Sequence, residues 1–246
     1  MKPRMIRVTP SPSPVTDRVI QRVLVVGLLA GLVAGLAVAA LQHVTTTPLI
    51  LAAEVYETAE HAHDAAPAEE VWKPAEGAQR TGATTLATLG VSTGYALILI
   101  AAMLIAGETI APKTALAFAA CAFASTGIAT SLGLAPQLPG MAETALVPRQ
   151  IWWAATAALT ALGLFATLRL EPVAAKALGL AAILAPHLYG APQPATPGSS
   201  VPAELAARFA ASSLAVQAVS WTLAALMVAL LWQGYERRIR ETSDAA

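Results

Sequence analysis

Six apolar runs of transmembrane length constrain the fold of this chain most strongly. They cover residues 23–44, 84–106, 114–134, 150–168, 173–189 and 208–232. A helix needs about 20 mostly apolar residues to cross the hydrocarbon core, and helices satisfy their own backbone hydrogen bonds in lipid. The fifth run is short, carries Lys176 near its start and is interrupted by Pro186. We therefore predict an all-α, polytopic transmembrane helix bundle with six spans, and five spans as the alternative.

Composition places the chain in the membrane class and removes several functions. Only 12% of its residues are charged, whereas soluble domains carry about 25%. The 15 basic and 15 acidic residues balance, so we expect no nucleic-acid partner. Cys121 is the single cysteine, which excludes a disulfide framework and leaves nitrogen and oxygen as metal-binding atoms. Because the sequence has no nucleotide-binding P-loop, any energy that its function needs would come from a partner or a membrane gradient.

The basic residues predict the orientation. Six spans with an internal N-terminus place eleven of them in the cytoplasm: Lys2, Arg4, Arg7, Arg18, Arg22, Lys113, Arg169, Lys176, Arg237, Arg238 and Arg240. Four lie outside: Lys73, Arg80, Arg149 and Arg208. This excess obeys the positive-inside rule, whereas five spans would move the basic C-terminal cluster outside. We predict that both termini are cytoplasmic.

The chain reads as one transmembrane domain with short flanks. Residues 1–20 are rich in Pro and Ser and are predicted as a disordered lead-in. Residues 21–240 form the domain, with an outer loop over residues 45–83, and residues 241–246 form a short tail. The first span resembles a signal peptide in its basic front, but its apolar run exceeds the usual 7–15 residues. We expect it to be retained.

Three glycines in the first span predict a close helix contact. Gly27, Gly31 and Gly35 recur every four residues and share one helix face. Such faces let helix backbones approach closely in membranes. The face is expected either to pack within the bundle or to contact a second copy in a homo-oligomer.

The first outer loop concentrates the groups that bind cations. Between His43 and Arg80 lie three of the four histidines and seven of the fifteen acidic residues. Thr47 and Pro48 are typical of a helix start, so residues 49–64 are predicted as an amphipathic helix. One polar arc holds Glu54, Glu57, His61 and Asp64, and the apolar arc holds Leu51, Val55, Ala59 and Ala62.

Carboxylate and imidazole groups at this spacing suit borderline divalent ions such as cobalt, nickel and zinc. His43 ends the first span beside this helix, and His63 follows at its frayed end. A solvated acidic face explains the same residues without any metal, so spacing leaves both interpretations open. We expect no catalytic residue and no resident cofactor, since no nucleophile or metalloprotease spacing accompanies the cluster.

Two further outer loops share an Ala-Pro-x-Leu-x-Gly-like turn, at residues 135–140 and 185–190. The second contains His187, which places all four histidines on the outer side. Within the spans, a polar path is one interpretation of six residues, and hydrogen bonding to the backbone is the other. They are Ser125, Thr126, Thr130, Ser131, Gln217 and Ser220.

Several ordered motifs resemble the CbtA family of predicted cobalt transporter membrane subunits. They are Leu41-Gln42-His43, residues 47–51, residues 53–57, residues 136–140, Arg149-Gln150-Ile151-Trp152-Trp153, Ala185-Pro186-His187 and residues 201–209. The resemblance covers nearly the whole chain beyond the lead-in. The family is often described with five spans, which leaves the fifth run in question.

The resemblance implies a subunit for Co²⁺ uptake in the bacterial inner membrane, linked to cobalamin supply. It also implies a small His-bearing membrane partner of the CbtB type. The metal-binding residues carried over are His43, Glu54, Glu57, His61, His63 and His187. Transport of nickel or another divalent metal is an alternative, as is a non-catalytic membrane scaffold. A membrane hydrolase is the weakest interpretation.

Overall fold

The computed structural model describes residues 14–61, 74–142, 144–195 and 198–244, without the side chains of 14–18, 57–61 and 243. These ranges form seven α-helices and one π-helical segment, which confirms the all-α prediction. They are α1 (Pro14–Val44), α2 (Thr46–His61), α3 (Ala78–Ile105), α4 (Pro112–Phe123), the π-helical segment (Ala124–Ala129), α5 (Leu146–Arg169), α6 (Val173–Tyr189) and α7 (Ala203–Asp244). Helix α1 begins inside the stretch predicted as a lead-in.

Four of the described helices are long and apolar enough to cross a membrane. They cover Val19–Val44, Ala78–Ile105, Leu146–Arg169 and Ala203–Thr242. Helix α6 coincides with the fifth apolar run but has only 17 residues and contains Pro186. The third run forms α4 and the π-helical segment, so its helix changes geometry partway along.

The centre of the fold is a bundle of α1, α3 and α7. Gly31 lies against the Thr93 backbone of α3, and Gly35 lies against Leu89, so a side chain at Gly31 would collide with that backbone. The glycine face therefore packs inside this chain, which is the first of its two predicted roles. This face is occupied by α3 and is not offered to a second copy.

One end of the bundle holds the end of α1 and the starts of α3 and α7. We call it the outer end, because the predicted orientation places it outside. At the opposite, inner end, the Arg22 guanidinium of α1 lies 3.6 Å from the centroid of the Trp232 ring of α7. Arg22 also donates to the Trp232 carbonyl at 3.1 Å and pairs with Glu236 at 2.8 Å. These contacts fasten the first and last described helices together.

Helices α5 and α6 form a hairpin beside this bundle. A Cβ at Gly179 of α6 would lie 2.8 Å from the Gly163 carbonyl oxygen of α5, so the two backbones nearly touch. The hairpin meets α4 and the π-helical segment. An ion pair between Arg169 and Glu108 joins the end of α5 to the turn after α3 at the inner end.

A small apolar cluster covers the outer end. Ala53 of α2 packs with Leu138, Val201 and Phe209, which come from both proline-rich loops and from α7. Met141 and Ser199 form an isolated antiparallel bridge between the two loops. The segments that follow the two predicted turns are thus joined, and α2 rests on them. The second turn itself differs from the prediction, since residues 185–189 are the last residues of α6.

Helix α2 packs on the bundle through a side other than its predicted apolar arc. Leu49, Ile50 and Tyr56 pack against the apolar cluster, whereas Leu51 and Val55 are 48% and 69% exposed. The predicted apolar arc therefore points away from the bundle at its two described positions. Ala59, Ala62 and Asp64 lie outside the described side chains. The helix begins at Thr46, three residues before the predicted range of 49–64.

Candidate metal site and the polar crevice beside it

The predicted metal-binding residues are spread over three elements at the outer end. His43 lies in the last turn of α1 and is exposed to the surroundings. Only Thr45 separates the end of α1 from the start of α2. The Thr45 hydroxyl donates to the Leu41 carbonyl at 2.7 Å. His43 is therefore held next to the start of α2.

Glu54 of α2 is paired with Arg80 of α3. The Arg80 Nη1 atom donates to Glu54 Oε2 at 2.9 Å, and its Nη2 atom donates to the other carboxylate oxygen. This two-point ion pair, with both side chains about 30% exposed, ties α2 to the start of α3. A metal ion that binds Glu54 must share the carboxylate with Arg80 or displace the guanidinium.

Glu57 and His61 belong to the last turns of α2, but their side chains lie outside the described set, as does the whole of His63. Among the described residues, no group of three or more His, Cys, Asp or Glu side chains is placed to hold one metal ion. The four-residue polar arc of α2 is thus described only at Glu54. Its role as a metal site stays a prediction.

His187 lies in the last turn of α6, on the hairpin. Its ring meets the edge of Trp152 at a centroid separation of 5.9 Å, and the Trp152 indole N–H donates to the Pro186 carbonyl at 3.2 Å. Trp152 also fills the space over Gly133, so α5 holds the end of α6 and the turn at Gly133 together. The contact described for His187 is therefore aromatic.

A polar crevice opens among α1, α2, α3 and α7 at the outer end. Its volume is about 320 Å³, and nine of its fifteen lining residues carry a hydroxyl or an amide. The Thr88 hydroxyl lies 2.8 Å from Gln42 Oε1, so α1 and α3 are joined across it. Gln42 directly precedes His43 in α1, which places the crevice one residue from a predicted ligand. We call this feature the polar crevice.

The six polar residues predicted inside the spans divide between the two interpretations. Four hydroxyls bond to carbonyls of their own helix, as the backbone interpretation holds: Ser125, Thr126, Thr130 and Ser131. Gln217 and Ser220 line the polar crevice. The Gln217 amide also donates to the Thr126 carbonyl at 3.3 Å, which links α7 to the π-helical segment. The backbone interpretation therefore holds for the four hydroxyls, and the polar-path interpretation stays a prediction for Gln217 and Ser220.

An aromatic pair closes the inner side of the polar crevice. The rings of Tyr95 and Trp221 stack with centroids 3.8 Å apart and an interplanar angle of 6°. The Trp221 N–H donates to the Thr126 hydroxyl at 3.1 Å, and Trp221 is 2% exposed. Sequence reasoning did not identify this pair, because both residues lie within apolar runs. The nearest signal is the position of Trp221 in mid-span, away from the interfacial belts where tryptophan is enriched.

Comparison with known families gives one match. A family model described as "Probable cobalt transporter subunit (CbtA)" matches residues 20–233. Comparisons with curated proteins and with solved structures find no match.

Proposed function

Because the chain belongs to the CbtA family of probable cobalt transporter subunits, we propose that it takes up Co²⁺ across the bacterial inner membrane. The family match over residues 20–233 is the observation that carries this proposal. The apolar helices support it, since four of them are long enough to cross a membrane. Assembly with a small His-bearing membrane subunit is part of the same proposal, because a transporter subunit works with partners.

We propose that all six apolar runs cross the membrane. Helix α4 and the π-helical segment continue through Thr130 and Ser131 as one rod over residues 112–131, and twenty helical residues span about 30 Å. Helix α6 is about 25 Å long by the same measure and lies against α5 along Gly163 and Gly179. Six spans give four cytoplasmic segments, which are the two termini and two connecting loops. These segments carry most of the basic residues, as the positive-inside rule requires.

The proposed capture site is the outer end. His43, Glu54, Glu57 and His61 would take the ion, with His63 and His187 as secondary ligands. Imidazole and carboxylate groups together suit cobalt. The Glu54–Arg80 pair supports an exchange in which the arriving cation replaces the guanidinium, because a divalent ion neutralises the carboxylate more fully than one arginine does.

The test is cobalt accumulation in cells that express the chain with and without its small partner. Glu57→Gln and His61→Ala should together lower uptake by about tenfold, because two ligands are lost from the capture site. Glu241→Gln serves as the matched control, since Glu241 is exposed at the end of α7 away from the outer end. The amount of protein in the membrane is measured in parallel.

Two competing functions give different results in the same assay. Unchanged cobalt uptake with both substitutions, at normal protein levels, refutes capture by this cluster. Preference for nickel when both metals are offered would replace cobalt with the nickel alternative. Absence of metal uptake by the unaltered chain with its partner would favour the scaffold interpretation.

A further inference from the structure

The polar crevice contains a buried hydroxyl group with no hydrogen-bond partner among the residues that the structure describes. Ser92 is 1% exposed, and its Oγ atom makes no hydrogen bond. An unsatisfied buried hydroxyl costs about 1–3 kcal/mol, so native proteins almost always pair such groups with protein or water. Ser92 is among the residues that line the polar crevice, so rotation of its covered hydroxyl toward the crevice would give it water as a partner. The crevice is therefore suited to hold water or a hydrated ligand.

The polar crevice is large enough for a hydrated cation, and nine residues with hydroxyl or amide groups lie among six apolar ones in its wall. Its 320 Å³ corresponds to roughly ten water molecules at about 30 Å³ each. Its polar lining consists of neutral oxygen and amide groups, and no charged residue is among them. Neutral oxygens replace part of an ion's water shell without holding it tightly, and a path must release what it binds. The lining thus favours passage over storage.

The position of the polar crevice fits the outer half of a path. It follows α3 from Thr84 to Tyr95, which is eleven residues or about 16 Å of helix. Thr84 is exposed near the start of α3, and Tyr95 meets Trp221 at the closed side. Beyond that stack, Ile100 and Val228 are fully buried in an apolar core. The crevice therefore ends midway through the bundle.

A larger outer groove of about 570 Å³ does not share this chemistry. It lies between the first proline-rich loop and α5, and its lining includes Arg149, Gln137 and Trp153. Arg149 donates to the Gln137 side chain at 3.2 Å, so a fixed positive charge lies in the groove. A cation is repelled there, which leaves the polar crevice as the favoured cavity.

We propose that the polar crevice is the outer half of the cation path through this subunit. It admits a divalent cation with its water shell and holds it weakly on hydroxyl and amide oxygens, above the Tyr95–Trp221 stack. Ser92, Ser213 and Gln217 are the residues assigned to this path. The proposal rests on the proposed function in one respect, which is that the cation is Co²⁺.

The first experiment fills the polar crevice. Ser213→Leu places an apolar side chain among its lining residues and should lower cobalt uptake by about tenfold or more, because the path is obstructed. Ala215→Leu is the matched control, since Ala215 is exposed on the same helix two residues away and should retain full uptake. Both variants are compared at equal amounts of protein in the membrane.

The second experiment measures access without transport. In a Cys121→Ala background, Ser213→Cys is treated from outside with a membrane-impermeant, positively charged thiol reagent. We expect rapid modification, slowed several-fold by millimolar Co²⁺, since both cations compete for one space. The control is Ala215→Cys, whose modification Co²⁺ should leave unchanged. This readout works even if Ser213→Leu does not fold.

The results separate the two proposals. Full uptake by Ser213→Leu, or modification of Ser213→Cys that Co²⁺ does not slow, overturns the cation path while the transport function stands. If the unaltered chain with its partner takes up no cobalt, the transport function fails, and protection of Ser213→Cys by Co²⁺ still supports a cation-accepting crevice.

Discussion

The outer and inner halves of the α1–α3–α7 bundle use the same three helices and pack in opposite ways. The outer half contains the polar crevice, with Gln42, Ser92 and Gln217 facing a cavity of about 320 Å³. The inner half is a dry core in which Ile100 and Val228 are 0% exposed. Side chains, and not the course of the backbone, set the difference. Small apolar residues let helices close together, whereas hydroxyl and amide groups need partners and keep a space open.

The two ends of this bundle are also fastened differently. At the inner end, Arg22 binds the Trp232 ring and carbonyl and the Glu236 carboxylate. At the outer end, α1 and α3 share the Gln42–Thr88 contact, and the Glu54–Arg80 pair lies near the surface. The inner contacts thus join α1 to α7, whereas the outer contacts join α1 and α2 to α3.

The Tyr95–Trp221 stack separates the outer half from the inner half, and we expect its loss to destabilise the protein most. Trp221→Ala should lower the free energy of unfolding by about 3 kcal/mol, because it leaves a cavity and removes the stack on Tyr95. Trp221→Phe should cost about 1 kcal/mol, because the ring remains and one hydrogen bond to Thr126 is lost. Unfolding in mixed detergent micelles measures both values. Trp153→Ala is the control, because Trp153 is 42% exposed. If it lowered the free energy of unfolding as much as Trp221→Ala does, the buried stack would have no special role in stability.

The contacts of Arg22 with Trp232 and Glu236, which we call the inner clamp, should contribute an intermediate amount to stability. Arg22→Ala removes a cation–π contact and two charge-assisted hydrogen bonds, which together contribute about 1–2 kcal/mol at a partly buried site. Arg240→Ala should change stability by less than about 0.5 kcal/mol, since its pair with Glu236 is 3.8 Å long and exposed. The same unfolding assay compares them. Equal effects of the two substitutions would remove the distinction between clamp and surface pair.

Substitutions in the outer half should change the free energy of unfolding least. Gln42→Leu should cost less than about 1 kcal/mol, because hydrogen bonds between membrane helices contribute little on average. The Thr88 hydroxyl also retains the Thr84 carbonyl of its own helix at 2.9 Å. A loss as large as that of Trp221→Ala would show that the two halves are equally tight. The measurement is again the free energy of unfolding.

Local patterns in the sequence predicted the helices well. Hydrophobicity over about 20 residues identified every helix that is long enough to cross a membrane, and the 173–189 run has the bounds of α6. The glycine spacing in α1 predicted the close contact that Gly31 makes with α3. These features depend on neighbours within one segment, which the sequence displays directly.

Contacts between distant segments could not be predicted in the same way. The Glu54–Arg80 pair joins two helices, and the Tyr95–Trp221 stack lies within apolar runs where aromatic residues look like ordinary core. The sequence did not predict the π-helical segment either, since its geometry depends on how Thr126 meets Gln217 and Trp221 of α7. Pairing of this kind is set by how the helices assemble, which no single window of sequence records.

The Arg22–Trp232 contact, which joins residues 210 positions apart, also has a consequence for biosynthesis. Helix α7 follows the other described helices out of the ribosome, so α1 and α3 must wait in the membrane for their third partner. Contacts between distant residues form slowly. Quality control of this protein should therefore act on a late intermediate, and shortening α7 at its inner end should shorten the lifetime of the chain in the cell.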